Sequence, residues 1–325
     1  MESFNPDLTN SWTANIIDLN DDGYEDIFVA DKDPDKPNLF YLNNKNKTFT
    51  KTTIPFLTTD LASTVCASWG DLNNDGKRDV LVVNNTRKIN KLLKNNGAFE
   101  FSTIKLSNTT STNQVGYFHS GSFVDYDNDG FLDIFMCNYT PTRFNELYHN
   151  AGDGTFTQVT NDPIVSESFM SIGAAWADYD NDGDQDLFVP NSLGVNNSFF
   201  VNNGEGKFTK EKNSIIVNDG GNSVGSCWGD INNDGWLDLF VSNASNENNF
   251  LYLNNKNGGF TKIMTGPVVT DGGHSHGCSF ADIDNDMDLD LYVTNDQGKK
   301  FLYMNDGNGN FARKTDEIAE ANYGK

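Results

Sequence analysis

Short apolar runs recur along this chain, and each starts with an aspartate and ends in a polar residue. The six runs are "DIFVAD", "DVLVVN", "DIFMCN", "DLFVPN", "DLFVSN" and "DLYVTN", which begin at intervals of 52 to 54 residues. Apolar residues at successive positions are typical of a strand whose sheet is covered on both faces. The pattern therefore predicts an all-β protein built from six repeats.

The sequence around each run predicts three further strands. A stretch of small residues with one aromatic, such as "VCASWGD", precedes each loop and run, and an aromatic strand and a Gly/Asn turn follow, such as "FLYLNN" and "NKNGGF". Four strands in about 50 residues are typical of a propeller blade. Small inner residues suit sheets that converge on an axis, with large aromatics between blades. These aromatics are Trp69, Phe123, Trp176, Trp228 and Phe280.

We therefore expect one six-bladed β-propeller domain over residues 1–325, with six blades favoured over seven. The repeats are about 53 residues long, and their acidic loops start at residues 18, 71, 125, 178, 230 and 282. The N-terminal "SWTANII" is predicted to be the inner strand of the blade whose outer strands come from "FLYMNDGNGNFARKT". The N- and C-terminal strands would then share a blade and close the ring.

Each apolar run is preceded by an acidic loop, such as "DYDNDGFLD". Carboxylates this close repel one another unless a cation lies among them. Oxygen side chains at loop positions 1, 3, 5 and 9, with Gly at position 6, fit a calcium loop. A strand follows at once, and position 12 lacks the bidentate Glu of an EF-hand.

The sequence thus predicts up to six Ca²⁺ ions. The predicted side-chain ligands are Asp18, Asn20, Asp22 and Asp26; Asp71, Asn73, Asp75 and Asp79; Asp125, Asp127, Asp129 and Asp133; Asp178, Asp180, Asp182 and Asp186; Asp230, Asn232, Asp234 and Asp238; and Asp282, Asp284, Asp286 and Asp290. We expect the ions to be structural, and a catalytic metal is the alternative.

Composition limits the partners. The formal net charge is −23, and six Ca²⁺ would bring it to −11. The remaining charge argues against nucleic acid and anionic membranes as partners.

No apolar stretch reaches the ~18 residues of a membrane span, and no signal peptide is evident. Calcium loops with few carboxylates bind at about 10⁻⁴ to 10⁻³ M, which favours an extracellular, periplasmic or cell-surface monomer.

The four cysteines leave the compartment open. Cys66, Cys227 and Cys278 lie in inner strands, and Cys137 lies at the end of an apolar run. Free thiols that pack as small apolar side chains are favoured over a disulfide.

The repeated "D-x-[DN]-x-D-G-x-x-D" loops and "LYxNNGxGxF" hairpins resemble the FG-GAP/VCBS repeat family, which includes the integrin alpha-subunit propellers. The resemblance implies that the loop joins the first two strands of a blade and that the backbone carbonyl at position 7 is also a calcium ligand. These carbonyls belong to Tyr24, Lys77, Phe131, Asp184, Trp236 and Asp288. Integrin propellers have seven blades, and in the sixth loop here Met287 replaces the position-6 Gly.

Ligand binding is expected at the ends of the blades opposite these loops, where the connections vary. The candidates are Asp31, Arg87, Tyr117, His119, Tyr139, Arg143, His274 and His276. His119 and His276 each stand six residues before a loop and are either packed core histidines or a ligand-binding pair. His274 and His276 are two residues apart on a strand and so share a face.

Two functions remain open. The first is a binding module for a glycan or an extracellular protein. The alternative is a polysaccharide lyase or hydrolase, with Tyr117 or His119 as base and Arg143 neutralising a uronate. The sequence has no nucleophile motif and no paired acids outside the loops, which favours the binding module.

Overall fold

The computed structural model describes residues 10–85, 89–106 and 117–315. In this part of the chain, 24 strands form six antiparallel sheets of four strands each, and the sheets are the blades of a β-propeller. Among the described residues, helix is confined to Pro163–Val165, Ile215–Val217 and Pro267–Thr270. The predictions of an all-β fold and of six four-stranded blades are confirmed.

The blades follow one another along the chain. Blades 1 to 3 contain β1 to β12: Ser11–Ile17, Asp26–Asp31, Leu39–Asn43 and Phe49–Lys51; Thr64–Gly70, Asp79–Asn84, Lys91–Asn95 and Phe101–Ile104; Phe118–Val124, Asp133–Asn138, Glu146–Asn150 and Phe156–Val159. Blades 4 to 6 contain β13 to β24: Ala175–Ala177, Asp186–Val189, Ser198–Asn202 and Phe208–Glu211; Ser223–Gly229, Asp238–Asn243, Phe250–Asn254 and Phe260–Lys262; Ser275–Ala281, Asp290–Asn295, Phe301–Asn305 and Phe311–Lys314.

The prediction that the N- and C-terminal strands share a blade is wrong. Strand β1 pairs with β2 in the register Ile17↔Asp26, and β3 and β4 complete that sheet. The C-terminal strands β23 and β24 complete the sheet that starts with β21. Each inner strand runs directly into its own acidic loop, so the next strand is the nearest partner, and pairing it costs little loop entropy.

The chain divides into two compact units. The first contains Met1–Asp125, Asp129–Asn161 and Val165–Ser168, and the second contains Tyr126–Asn128, Asp162–Ile164 and Phe169–Lys325. Blades 1 to 3 thus belong to the first unit and blades 4 to 6 to the second. The single domain over residues 1–325 stays a prediction.

In the first unit, apolar side chains fill the space between neighbouring blades. The rings of Phe28 in blade 1 and Trp69 in blade 2 meet edge to face with centroids 5.6 Å apart. Gly121 on the inner strand of blade 3 has no room for a larger side chain, because a Cβ there would lie 2.7 Å from Val83 Cγ2 and 2.8 Å from Leu81 Cδ2. The predicted roles of small inner residues and of a large aromatic are both confirmed here.

The second unit packs in the same way. Trp228 in blade 5 meets Phe188 in blade 4 with ring centroids 6.4 Å apart, and its Nε1–H donates to the carbonyl of Ala175 at 3.2 Å. A Cβ on Gly225 would lie 2.2 Å from the backbone oxygen of His276 in the next blade, which only a glycine allows. Close backbone approach thus explains the small residues of the inner strands.

The four cysteines are free thiols, as predicted. Burial raises the pKa of Cys66, whose Sγ lies 3.4 Å from the carbonyl oxygen of Gly121. The buried thiols therefore act as small packed side chains.

Candidate metal loops and ligand-binding face

In every acidic loop the first aspartate closes the turn. In the fifth loop the Asp230 carboxylate accepts the N–H of Asp234 at 2.9 Å and that of Gly235 at 2.7 Å, and Asp234 accepts the N–H of Trp236 at 3.0 Å. The same three bonds occur in the other five loops at 2.7 to 3.1 Å. The sequence "D-x-[DN]-x-D" is thus a backbone turn held by carboxylates that also crowd together.

The aspartate at position 9 begins the second strand and is buried. Asp238 accepts the N–H of Asn254 through Oδ1 at 2.7 Å and the N–H of Ile231 through Oδ2 at 3.2 Å. Burial, together with the neighbouring carboxylates, raises the pKa of Asp238 to about 7. Burial likewise raises the pKa of Asp186 to about 8, and Asp180 and Asp182 add to the shift. The charges that act on these two carboxylates are thus those of other aspartates.

The loops of the second unit fit a hard cation. Oxygen atoms of Asp178, Asp180 and Asp186 lie within 4.8 Å of one another. Asp282, Asp284 and Asp290 form a second such group. Oδ1 of Asp180 and Oδ1 of Asn232, both at position 3, are buried without a hydrogen-bond partner. Converging carboxylates with unsatisfied oxygens are the donor set that Ca²⁺ prefers.

An asparagine ends each third strand, and in four blades its side chain joins neighbouring loops. Asn254 Nδ2 donates to the carbonyl of Leu237 in its own loop at 3.2 Å and to that of Tyr179 in the preceding blade at 2.8 Å. Asn202 and Asn305 make the same pair of bonds in the second unit, and Asn150 makes them in the first. Sequence reasoning missed this role, although the recurring Asn of "FLYLNN" was visible.

The residue at position 4 is a second link between loops. Asn181 Nδ2 donates to the carbonyl of Gly235 at 3.0 Å, and Asn233 Nδ2 donates to Asp288 Oδ1 at 2.7 Å. In all six loops this residue has a positive φ of 55° to 62°, which asparagine and aspartate tolerate better than most residues. Position 4 was not among the predicted functional residues.

The sixth loop is more exposed than the others, since its position-2 residue Ile283 is 42% exposed and the other five are buried, and it also differs at position 6. The other five loops have Gly there with φ of 83° to 96°, whereas Met287 adopts φ 75° with an exposed side chain. Its N–H still bonds Asp282 Oδ2 at 3.1 Å. The loop therefore closes as the others do, but with backbone strain that glycine would not have.

His149 is a further residue that sequence reasoning missed. It lies on the third strand of blade 3, where the other blades have Leu42, Lys94, Val201, Leu253 and Met304. Its Nδ1 is 3.4 Å from Asp133 Oδ1, and its Nε2 is 4.0 Å from Asp129 Oδ2. The third loop thus has a nitrogen base beside two predicted ligands.

At the other end of the blades in the first unit, three predicted residues lie together. The ring of His119 is 5.0 Å from that of Tyr139, and the Tyr117 carbonyl accepts the Tyr139 N–H at 2.8 Å. Trp12 meets His119 edge to face at 5.6 Å, and Lys32 Nζ lies 3.6 Å above the Trp12 ring. We call Trp12, Lys32, His119 and Tyr139 the aromatic cluster.

Arg143 lines a separate cavity of about 380 Å³ in the same unit. The cavity is also lined by Asn138, Phe144, Asn145 and Glu146, and the Phe144 ring is 53% exposed. Burial raises the pKa of Glu146, and Arg143 opposes that shift. Asp31 is fully buried at the end of β2 and does not face solvent. Arg87 lies outside the described residues.

In the second unit the predicted pair His274 and His276 shares one carboxylate. Asp296 Oδ1 is 3.8 Å from His274 Nδ1, and Asp296 Oδ2 is 3.5 Å from His276 Nε2. Both were predicted to lie on one strand, but β21 begins at Ser275, so His274 lies just before the strand and His276 within it. Asp296, which follows the second strand of blade 6, was not predicted.

Comparison with known proteins decides the family. Five segments, residues 18–82, 71–136, 125–189, 191–241 and 230–293, match the FG-GAP-like repeat. The chain belongs to the FG-GAP-like repeat family. Each match to the repeat begins at an acidic loop or, in the fourth segment, just after a second strand. The part of this FG-GAP-like protein that the structure describes contains no helix long and apolar enough to cross a membrane.

Solved structures share the fold of this FG-GAP-like protein. A protein from Lactobacillus plantarum superposes with a TM-score of 0.64 at 13% identity, covering 94% of this chain and 84% of that one. BBS1N, solved in complex with ARL6DN, gives a TM-score of 0.59 at 13% identity, covering 97% and 87%. At this identity the likeness shows the propeller fold alone. No curated protein has a matching sequence.

Proposed function

We propose that this chain is a calcium-stabilised, extracellular binding module that recognises a glycan or a protein at the blade ends opposite the acidic loops. The observation that carries the calcium part is the group formed by Asp178, Asp180 and Asp186, whose ligand oxygens lie within 4.8 Å. When bound, Ca²⁺ would supply the positive charge that offsets the repulsion among these carboxylates. The residues at loop positions 1, 3, 5 and 9 would hold it, and the carbonyl at position 7 remains a proposed ligand.

The loops support a structural role for the ions. Each position-1 aspartate accepts two backbone N–H groups, as Asp230 does from Asp234 and Gly235, and each position-9 aspartate bonds the end of the third strand. The same side chains therefore set the backbone turn and bind the ion. A catalytic metal needs an open coordination position and a substrate cavity, whereas these loops repeat with the same bonds in all six blades.

An extracellular location follows from the proposed affinity. Calcium loops with few carboxylates bind in the range of ~10⁻⁴ to 10⁻³ M, which matches extracellular rather than cytosolic calcium. Loops with an amide at position 3, such as those containing Asn20, Asn73 and Asn232, have one charge fewer than the others.

Two features of the first unit support binding at the opposite blade ends. The aromatic cluster combines flat rings with the Lys32 ammonium group, and the Arg143 cavity combines a guanidinium group with the exposed Phe144 ring. Aromatic rings stack on sugars, and a neighbouring cation pairs with a carboxylate. The combination therefore suits an acidic glycan or an acidic protein segment. We propose Tyr117, His119, Tyr139 and Arg143 as the first residues to test.

A glycan array that includes uronate polymers tests the proposal, with protein-protein capture as a second arm. We expect binding that falls at least 10-fold in Arg143→Ala and Tyr139→Ala. Arg78→Ala is the matched control, because Arg78 is an exposed arginine within the second acidic loop. Equal binding in Arg143→Ala, Tyr139→Ala and the wild type would contradict the proposed surface.

The enzymatic alternative has a distinct outcome. If His119 acts as a general base on an acidic polysaccharide, product release would be detected and His119→Ala would abolish it. Binding without turnover in the wild type would support the binding module.

A further inference from the structure

The polar residue at the end of each apolar run differs in blade 1. It is an asparagine in five blades, Asn84, Asn138, Asn191, Asn243 and Asn295, and an aspartate, Asp31, in the first. The backbone there is equivalent, because the N–H of Asp31 donates to Asn38 Oδ1 at 3.0 Å and the N–H of Asn84 donates to Asn90 Oδ1 at 2.8 Å. The difference between the blades therefore lies in the side chain.

In four of the five other blades the amide of this asparagine donates to the backbone. Asn84 Nδ2 donates to the carbonyl of Ile89 at 2.8 Å, the residue before Asn90. The equivalent bonds of Asn191, Asn243 and Asn295 measure 3.0, 2.7 and 2.7 Å. In blade 1 the equivalent carbonyl belongs to Pro37, the residue before Asn38. A carboxylate has no N–H to offer to it.

Asp31 is fully buried, with a relative exposure of 0%. Its Oδ1 accepts the N–H of Asp33 at 2.8 Å, but its Oδ2 is buried without a hydrogen-bond partner. In the described part of the chain no lysine or arginine pairs with it, since Lys32 Nζ lies over the Trp12 ring and Lys36 Nζ is 3.9 Å from Asp33 Oδ2. Burying a carboxylate oxygen without a hydrogen-bond partner costs folding free energy unless a cation binds it.

We propose that the connection after β2 holds a divalent cation of its own, with the Asp31 and Asp33 carboxylates and the Pro37 carbonyl as ligands. These hard oxygen donors fit Ca²⁺. The Asp33 side chain is partly exposed, so the cation can reach the site from solvent at this residue. The site is separate from the first acidic loop, because the six-residue strand Asp26–Asp31 places them about 17 Å apart at ~3.4 Å per residue. It does not depend on calcium binding by the loops.

The test counts calcium ions bound per chain by equilibrium dialysis against CaCl₂, followed by elemental analysis. Asp31→Asn should bind one ion fewer than the wild type, whether the loops bind six ions or none. Asp153→Asn removes the same charge from an exposed hairpin and should bind as many ions as the wild type. Equal numbers of ions in Asp31→Asn and the wild type would overturn the proposal.

Stability in chelator provides a second readout. The amide introduced by Asp31→Asn would donate to the backbone as the asparagines of four other blades do, so this variant should melt in EDTA at or above the temperature of the wild type. Calcium should then raise its melting temperature by less than it raises that of the wild type. An unfolded Asp31→Asn protein, or one with an undiminished calcium response, would contradict a cation at Asp31.

Discussion

Asn254 Nδ2 lies 2.8 Å from the carbonyl oxygen of Tyr179, although 75 positions separate the two residues in sequence. This bond connects the end of a third strand in blade 5 to the acidic loop of blade 4. The backbone N–H of Asn254 bonds the Asp238 carboxylate at 2.7 Å. One asparagine thus joins its own acidic loop to the neighbouring one.

Replacing Asn254 should therefore destabilise the fold. Asn254→Ala removes both amide bonds and leaves the buried carbonyl of Tyr179 unpaired, so we expect the free energy of unfolding to fall by about 1–3 kcal/mol. Denaturant titration measures the change. Asn255→Ala is the control, because that neighbouring amide is exposed, and it should cost less than ~0.5 kcal/mol. An equal loss in both variants would show that the inter-blade bond contributes nothing particular.

Met287 supplies a second prediction. Its φ of 75° is unfavourable for a residue with a Cβ, so Met287→Gly should stabilise the protein by a few tenths of a kcal/mol to ~1 kcal/mol. The sixth loop should also bind calcium more tightly. Calorimetric melting with and without calcium measures both effects.

The reverse substitution in a neighbouring loop is the matched control. A Cβ on Gly235 meets no atom within 4 Å, so Gly235→Met adds backbone strain at φ 86° without a steric clash. It should destabilise the protein by a similar amount. A neutral effect of both substitutions would mean that position 6 carries no strain.

The raised pKa values predict the pH dependence of the metal-free protein. The pKa is about 8 for Asp186 and about 7 for Asp238 in the folded state, against a usual value of 3.8. Between about pH 4 and pH 8 the folded state therefore binds more protons than the unfolded state. The free energy of unfolding in EDTA should fall as pH rises through this window.

Calcium should reverse this trend, because the ion favours the charged carboxylates. Melting curves from pH 5 to pH 8, with EDTA or with saturating calcium, test the prediction. Asp186→Asn should flatten the EDTA curve in part. A metal-free protein that grows more stable toward pH 8 would contradict the account of the buried carboxylates.

The sequence was sufficient to predict much of the fold. The repeat of acidic loops and apolar runs identified six blades and the four-strand order, because these features depend on residues close together in the chain. The closure by shared terminal strands was wrong, since it rested on counting residues rather than on a local pairing preference. The pairing of β1 with β2 follows from the loop that joins them.

The candidate site was predicted less completely. The predicted metal ligands follow from spacing, whereas the roles of Asn254, Asn233 and His149 depend on which residues another blade or strand brings near. Such contacts lie up to 75 positions apart and leave no local pattern beyond a recurring asparagine. The burial of Asp31 was likewise invisible, and it changed that residue from a candidate surface contact to a candidate cation ligand.

The central claim is that calcium in the acidic loops stabilises the propeller. Isothermal titration of calcium into chelator-stripped protein, with circular dichroism recorded alongside, tests it most directly. At free calcium 100 times Kd, each site would add ~2.7 kcal/mol to the free energy of unfolding. We predict at least five bound ions per chain and a gain of ordered structure on binding. No more than one bound ion, with an unchanged spectrum, would contradict the account.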